Sequence, residues 1–315
     1  MLAVLRGERP DRIPLPGDYA QIEYRPDLYH LGEPELVKPG EVRTSADGRA
    51  HITADGGVWR QGDKDLYRNE EDVLAAPLDR FPVETVAAPM QDRMRELYRN
   101  AAVSGCPIPW HYGTLVTRAT LAFDWEPFLL ASVTDEARFG RILDRFGEAT
   151  LAVVEGWCSL PEIEAVRIHD DIAGTRGLIL SPAWLHRYVF PWYQRFFQTM
   201  HDHGKKALYI SDGNWFDAVD DILAAGADGV FIESSSLDPA KVMAIGGPRL
   251  NYHIKTDNRA QDHGTPADIH AEMRTIRELW EDYPAISMYR GGGGLRPANV
   301  AAFDQAYAEF FGPRD

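Results

Sequence analysis

The sequence contains only two cysteines, Cys106 and Cys158, among 315 residues. They lie far apart and no CxxC pair occurs, which rules out a disulfide scaffold and a thiolate zinc site. Basic residues are also few: 33 Lys+Arg stand against 48 Asp+Glu, a net charge of −15. A chain this acidic repels phosphate backbones and anionic lipid, which argues against nucleic acid and membranes as partners. No apolar run approaches the ~20 residues that span a bilayer. The opening "MLAVLRGERPDRIP" is too short in its apolar part and too charged for a secretion signal, so a cytoplasmic protein is expected. No GxGxxG follows a first strand, and no nucleotide cofactor is expected. Internal repeats, low-complexity tracts and Ser/Gly linkers are absent too.

What is present is a regular alternation. Residues 1–85 read as an N-terminal extension rich in Pro, Gly and charge, packed on a barrel formed by residues 86–315, with one domain overall. Within the extension, "GRAHITADGGVWRQ" suggests a hairpin turning near Asp55-Gly56, and "EEDVLAAPLDRFPVE" a short helix stopped by Pro77. Beyond it, the strands "CPIPWHY", "EAVRIH", "KKALYI", "DGVFIE", "LNYHIK" and "AISMYR" alternate with amphipathic helices. Ser181-Pro182 and Thr265-Pro266 are helix starts, and Pro191 breaks a long helix in two. Six strand–helix units follow residue 101, and one or two further strands fit before them or within "RATLAFDWEPFLLA". The fold class is α/β, a (β/α)8 TIM barrel.

In such a barrel every strand ends on one common face, the face that carries active sites. The strand ends here hold Trp110, His111 and Tyr112; His169, Asp170 and Asp171; Asp212 and Asn214; Glu233; His253, Lys255 and Asp257; Tyr289 and Arg290. Any one of them fits a loop turn or a helix cap. Six consecutive strand ends with polar groups point to a pocket. Strand alternation puts His253, Lys255 and Asp257 on one inward face. Asp170-Asp171 reads either as a substrate-orienting, proton-sharing pair or as a loop cap. His111 reads as a pocket group or a core histidine. "YRGGGG" reads better as a hinge than as a phosphate cradle, with Arg290 able to grip a carboxylate.

Four segments carry a family resemblance: "PDRIP", "HDDIAGTRGLILSPAWLHRYVFPW", "GKKALYISDGNWFDAVDDILAAGADG" and "KTDNRAQDHGTPADIHAEM". In this order and spacing the chain resembles the uroporphyrinogen decarboxylase-like superfamily, nearer its corrinoid-linked methyltransferase branch than the decarboxylases of haem biosynthesis. The resemblance implies an enzyme that demethylates a small O- or N-methylated substrate and passes the methyl group to a corrinoid protein or tetrahydrofolate. The thiol-directed zinc enzymes of that family carry a His and a Cys two apart after the "ALYI" strand, and a Cys near the last strand. Here Ile210 and Asp212 take those places and the last strand gives "YRGGGG". Any zinc must therefore use nitrogen and oxygen ligands, for which His169, Glu233 and His253 are the candidates beside Asp212. Asp212 occupies the family's chemical position, and Asp171 and Asp257 join it as catalytic candidates. Trp110, His111, Tyr112, Asp170, Asn214, Lys255, Tyr289 and Arg290 are the substrate-binding candidates. The decarboxylases' arginine-rich run is missing after "RIPLP", where only Arg25 remains. A lyase acting on a small carboxylate, held by Arg290 and Lys255, is the runner-up, and a non-catalytic ligand-binding barrel the third reading.

Overall fold

The computed structural model describes residues 1–15, 19–23, 42–44, 50–53, 58–60, 67–81, 88–102 and 106–312. Its centre is a curled, all-parallel sheet of seven strands: β1 (Tyr19–Glu23), β5 (Cys106–Tyr112), β6 (Ala165–His169), β9 (Lys206–Ile210), β10 (Gly229–Glu233), β11 (Asn251–Lys255) and β12 (Ile286–Tyr289), adjacent in that order. Between β1 and β5 lie β2 (Val42–Thr44), β3 (Ala50–Thr53) and β4 (Val58–Arg60), an antiparallel three-stranded sheet. Its β3–β4 pairing is the expected hairpin. A two-residue pair, β7 (Ala173–Gly174) with β8 (Gly177–Leu178), follows β6.

The expected eight strands are corrected to seven among the described residues, so the barrel is not fully closed. The segment "RATLAFDWEPFLLA" supplies no strand; it folds as α4 (Val116–Phe123) and α5 (Trp125–Thr134). The seventh strand, β1, comes instead from the stretch read as an extension. No ladder joins β1 to β12 among the described residues, although the Met288 amide donates to the Pro14 carbonyl at 2.8 Å across that seam.

The inside and outside of the sheet follow from strand alternation. Val166, Ile168, Tyr209, Ile232, Ile254 and Met288 face outward into the main hydrophobic core, beneath the helices. Ile108, Ala165 and Leu208 face inward and form a separate cluster with Leu5 of α1 (Leu2–Leu5), which stops the N-terminal end of the barrel. The ladder from β5 to β6 begins only at Trp110, beyond Pro107 and Pro109, which have no N–H to donate.

The helices start and stop where their capping residues say. Ser181 accepts the Trp184 amide ahead of α7 (Pro182–Tyr188), and Pro191 opens α8 (Phe190–Asp202). Thr265 and Asp268 form a reciprocal capping box on α12 (Pro266–Asp282). The long α6 (Glu136–Cys158) can lie close to α8 because Gly147 has no side chain. A Cβ there would fall 2.3 Å from the Trp192 ring.

Candidate functional site

Alternation carried to the top of each strand defines the mouth. Register pairs Trp110 with Arg167 and Tyr112 with His169, then His169 with Ile210, Glu233 with Lys255, and Lys255 with Tyr289. The upper interior is therefore lined by Tyr112, His169, Glu233, Lys255 and Tyr289. A deeper layer holds Trp110, Arg167, Phe231, His253 and Ser287.

The most concentrated chemistry lies where β6 and β9 end. His169 Nε2 bonds to Asp171 Oδ1 at 2.8 Å, and the Asp212 amide donates to that same oxygen at 2.9 Å. One donor atom from each of His169, Asp171 and Asp212 lies within 4.8 Å of the others. Burial by itself would raise the Asp171 carboxyl. The hydrogen bond and charge of His169, with the Asp212 amide and Thr117 hydroxyl, outweigh it and hold the group below its ordinary value. Asp212 moves the other way. Its carboxylate is exposed at the mouth, yet the surrounding wall removes enough water to raise it, and the Asp171 charge adds to that. Gly213 fixes where Asp212 sits. Its φ of +79° suits glycine, and a Cβ would lie 2.5 Å from the Ala173 carbonyl. This answers what "ISDGN" does: Asp212 faces the mouth, while Gly213 and Asn214 make the turn. Asn214 donates its amide to Gly174 and accepts the Phe216 amide, so it is a turn former.

These three residues have the donor set of a metal site, two carboxylates and an imidazole. Two observations test the fit. His169 Nδ1 is buried without a hydrogen-bond partner among the described residues. The Asp212 carboxylate receives no hydrogen bond there either, and an ion between the three groups would replace the single contact that His169 Nε2 makes with Asp171. The His169–Asp171 contact is itself the carboxylate–imidazole pairing that orients metal-binding histidines.

Other sequence-based assignments change. Asp170 and Asp171 share no proton, because their carboxylates point to different places. Asp170 is fully buried and accepts the Leu115 and Thr117 amides at 3.2 and 2.8 Å and the Tyr193 hydroxyl at 2.8 Å. Burial raises its pKa against those bonds. It ties the loop after β5 to α8. His111 has the outward parity of Pro107 and Pro109 and is buried between sheet and helices, away from the mouth. Asp257 does not continue the face of His253 and Lys255. β11 ends at Lys255, and Asp257 caps α11 (Asn258–His263), accepting the Arg259 and Ala260 amides.

Glu233 and His253 lie outside the metal-like cluster. Glu233 Oε1 accepts Lys255 Nζ and Asn258 Nδ2, both at 2.9 Å. His253 is buried in the deeper layer, bonded to Ser287 at 2.8 Å and stacked on Phe231. Burial and the nearby Arg167 lower its pKa far below normal, so it is neutral.

Trp110 and Tyr112 do line the interior. Trp110 stacks on His169 with ring centres 5.6 Å apart, and Tyr112 meets it edge-on at 4.7 Å. Tyr289 is exposed at the end of β12. Arg290 has turned over its own loop, near Gly294, with only a 3.5 Å contact to the Gly291 carbonyl. The glycine run is not an open anion cradle. Asp262 occupies it, accepting the Gly293 and Leu295 amides, while Thr256 and Asn258 accept those of Gly291 and Gly292.

Sequence reading missed Arg167, which has the same inward parity as His169, and Asn258 and Glu272, which become visible only through their partners. A hollow of about 520 Å³ lies on the opposite face of the barrel, beside Met1, Arg9, Arg12 and Cys106. Among the described residues it holds no convergent set of reactive groups, so the chemistry points to the mouth.

No family model matches the sequence, and no curated protein matches it. Among solved structures, a methyltransferase from Methanosarcina mazei aligns with a TM-score of 0.62 at 17% identity, covering 98% of this chain and 97% of that one. At that identity the likeness shows a shared fold, which is TIM-barrel-like. A D-psicose 3-epimerase solved with D-fructose reaches a TM-score of 0.33 at 11% identity, covering 71% and 85%. An N-acetyl-D-glucosamine-6-phosphate deacetylase from Mycobacterium smegmatis reaches 0.28 at 14%, covering 70% and 45%. At those scores neither carries weight. No helix among the described residues is long and apolar enough to cross a membrane.

Proposed function

We propose that the protein is a methyltransferase that removes a methyl group from a small O- or N-methylated substrate at the barrel mouth. A corrinoid protein or tetrahydrofolate would take the methyl group. The observation that carries this reading is the His169–Asp171–Asp212 cluster, set at the strand ends of a barrel whose fold matches a methyltransferase end to end. The resemblance of "HDDIAG", "ISDGN" and "KTDN" to the uroporphyrinogen decarboxylase-like superfamily supports it.

His169, Asp171 and Asp212 would hold a divalent metal, with zinc the first candidate. When bound, such an ion supplies a Lewis acid beside the heteroatom that loses the methyl group. The chain's own residues prepare that place. Asp171 orients the His169 ring, and the amide of Asp212 locks Asp171 in turn. Trp110 and Tyr112 shield the site with aromatic surface.

The lyase reading asks Lys255 and Arg290 to grip a carboxylate. Lys255 is instead committed to Glu233, and Arg290 lies over its own loop, so the geometry favours methyl transfer.

Metal analysis of protein purified without chelator tests the reading. Stoichiometric zinc that is lost in Asp212→Ala, together with zinc-dependent demethylation of methyl-labelled ethers or amines, is the expected result. Absence of metal in the wild-type protein, or demethylation unaffected by chelator, would overturn the metal-assisted mechanism.

A further inference from the structure

Glu272, on α12, stands behind the mouth rather than in it. Its Oε1 accepts the Asp257 amide at 2.8 Å, and Asp257 caps α11. The first residue of α11, Asn258, holds both Glu233 Oε1 and the Gly292 amide, and Asp262 near its end fills the glycine loop. One carboxyl group therefore supports the helix that clamps two sides of the mouth.

The surroundings of Glu272 differ from those of the molecule's ionised carboxylates. Asp171 receives an imidazole and an amide, and Asp262 receives amides from Gly293 and Leu295. Glu272 receives a single amide. Its Oε2 is buried with no hydrogen-bond partner within 3.5 Å among the described residues, and the Ser234 hydroxyl that faces it acts only as a weak donor, lowering the group less than burial raises it. The charged groups around it are Asp257, of like sign, and beyond that Arg259, drawn to Asp257 at 3.7 Å. A carboxylate whose Oε2 is shut off from water, with one amide, one weakly donating hydroxyl and an anionic neighbour, is better carried as the neutral acid.

We propose that Glu272 is a positioning residue, held as a carboxylic acid, and that loss of its proton loosens the α11 clamp on Glu233 and the glycine loop. Burial, the largest cause, raises Glu272 from the ordinary 4.5 to about 7. In the opened, hydrated state the group returns toward 4.5. Opening therefore releases a proton between those two values, becomes easier as pH rises through that window, and levels off above about 7.

Hydrogen exchange on the full-length protein, corrected for intrinsic rates, reads this directly. Protection of the amides of Gly291, Gly292 and Gly293 and of α11 is expected to fall roughly ten-fold per pH unit within the window, and to flatten above it. Glu272→Gln keeps the shape without the titration, and should hold protection constant across the same range. A purely structural role would leave the wild-type profile flat. A flat wild-type profile, or a pH-dependent one that survives in Glu272→Gln, would overturn the proposal.

Discussion

Asp171 and Asp212 are joined by a single oxygen: the Asp212 amide and the His169 ring both bond to Asp171 Oδ1. The cluster is thus a unit in which Asp171 sets the positions of the other two. Asp171→Asn removes the charge that orients His169 while leaving an oxygen for the Asp212 amide. Zinc affinity should fall by about 10-fold or more, because the change removes the charge of one of the three groups proposed to hold the ion and the partner that orients His169. Competition against a chromophoric chelator measures it, and unchanged affinity would separate Asp171 from the metal.

Gly213→Ala should damage stability and site together. The new Cβ meets the Ala173 carbonyl, and the backbone lies in the left-handed region. A loss of about 2–3 kcal/mol is expected in urea unfolding, because strain at positive φ and the backbone clash add. Zinc affinity should drop as well, since Asp212 is the preceding residue.

Asp170→Ala should be among the most destabilising single changes. It strands two buried amides and the Tyr193 hydroxyl. A cost of about 3–5 kcal/mol follows from leaving several buried donors unpaired. A thermal midpoint close to that of the wild type would refute the assignment of Asp170 to the framework.

At the opposite end of β9, Asp228 makes a pH-dependent contribution. Burial pushes its carboxyl up, but the Ala207 amide, His201 and Lys206 outweigh that and hold it below 3.8. A depressed acid stabilises the fold above its unfolded value and loses that contribution as pH falls through the folded value. Asp228→Asn should cost about 1–2 kcal/mol near neutrality, with the difference from wild type closing in acid. Paired urea titrations at neutral and acidic pH would show it.

Much of the framework could be read from the chain because local signals agreed with the tertiary fold. Ser181, Pro191 and Thr265 mark helix boundaries through chemistry confined to a few residues. β1 escaped because it lies in a stretch rich in Pro, Gly and charge. At the mouth, alternation put His253 and Lys255 on one inward face of β11, since parity is a local property. It failed at Asp257, where the strand had already ended, and was not applied to His111 and Arg167. Asp170 and Glu272 depend on partners tens of residues away, which no spacing rule contains.

The N-terminal helix has a consequence for traffic. Met1, Val4 and Leu5 close over Arg167, Leu208 and His253, leaving a space of only about 20 Å³ at the foot of the barrel. With that end filled, the described residues leave the mouth as the approach to the cluster. For the activity proposed here, methyl donor and methyl acceptor must share it, so either the two sit side by side over Asp212 or the first departs before the second arrives.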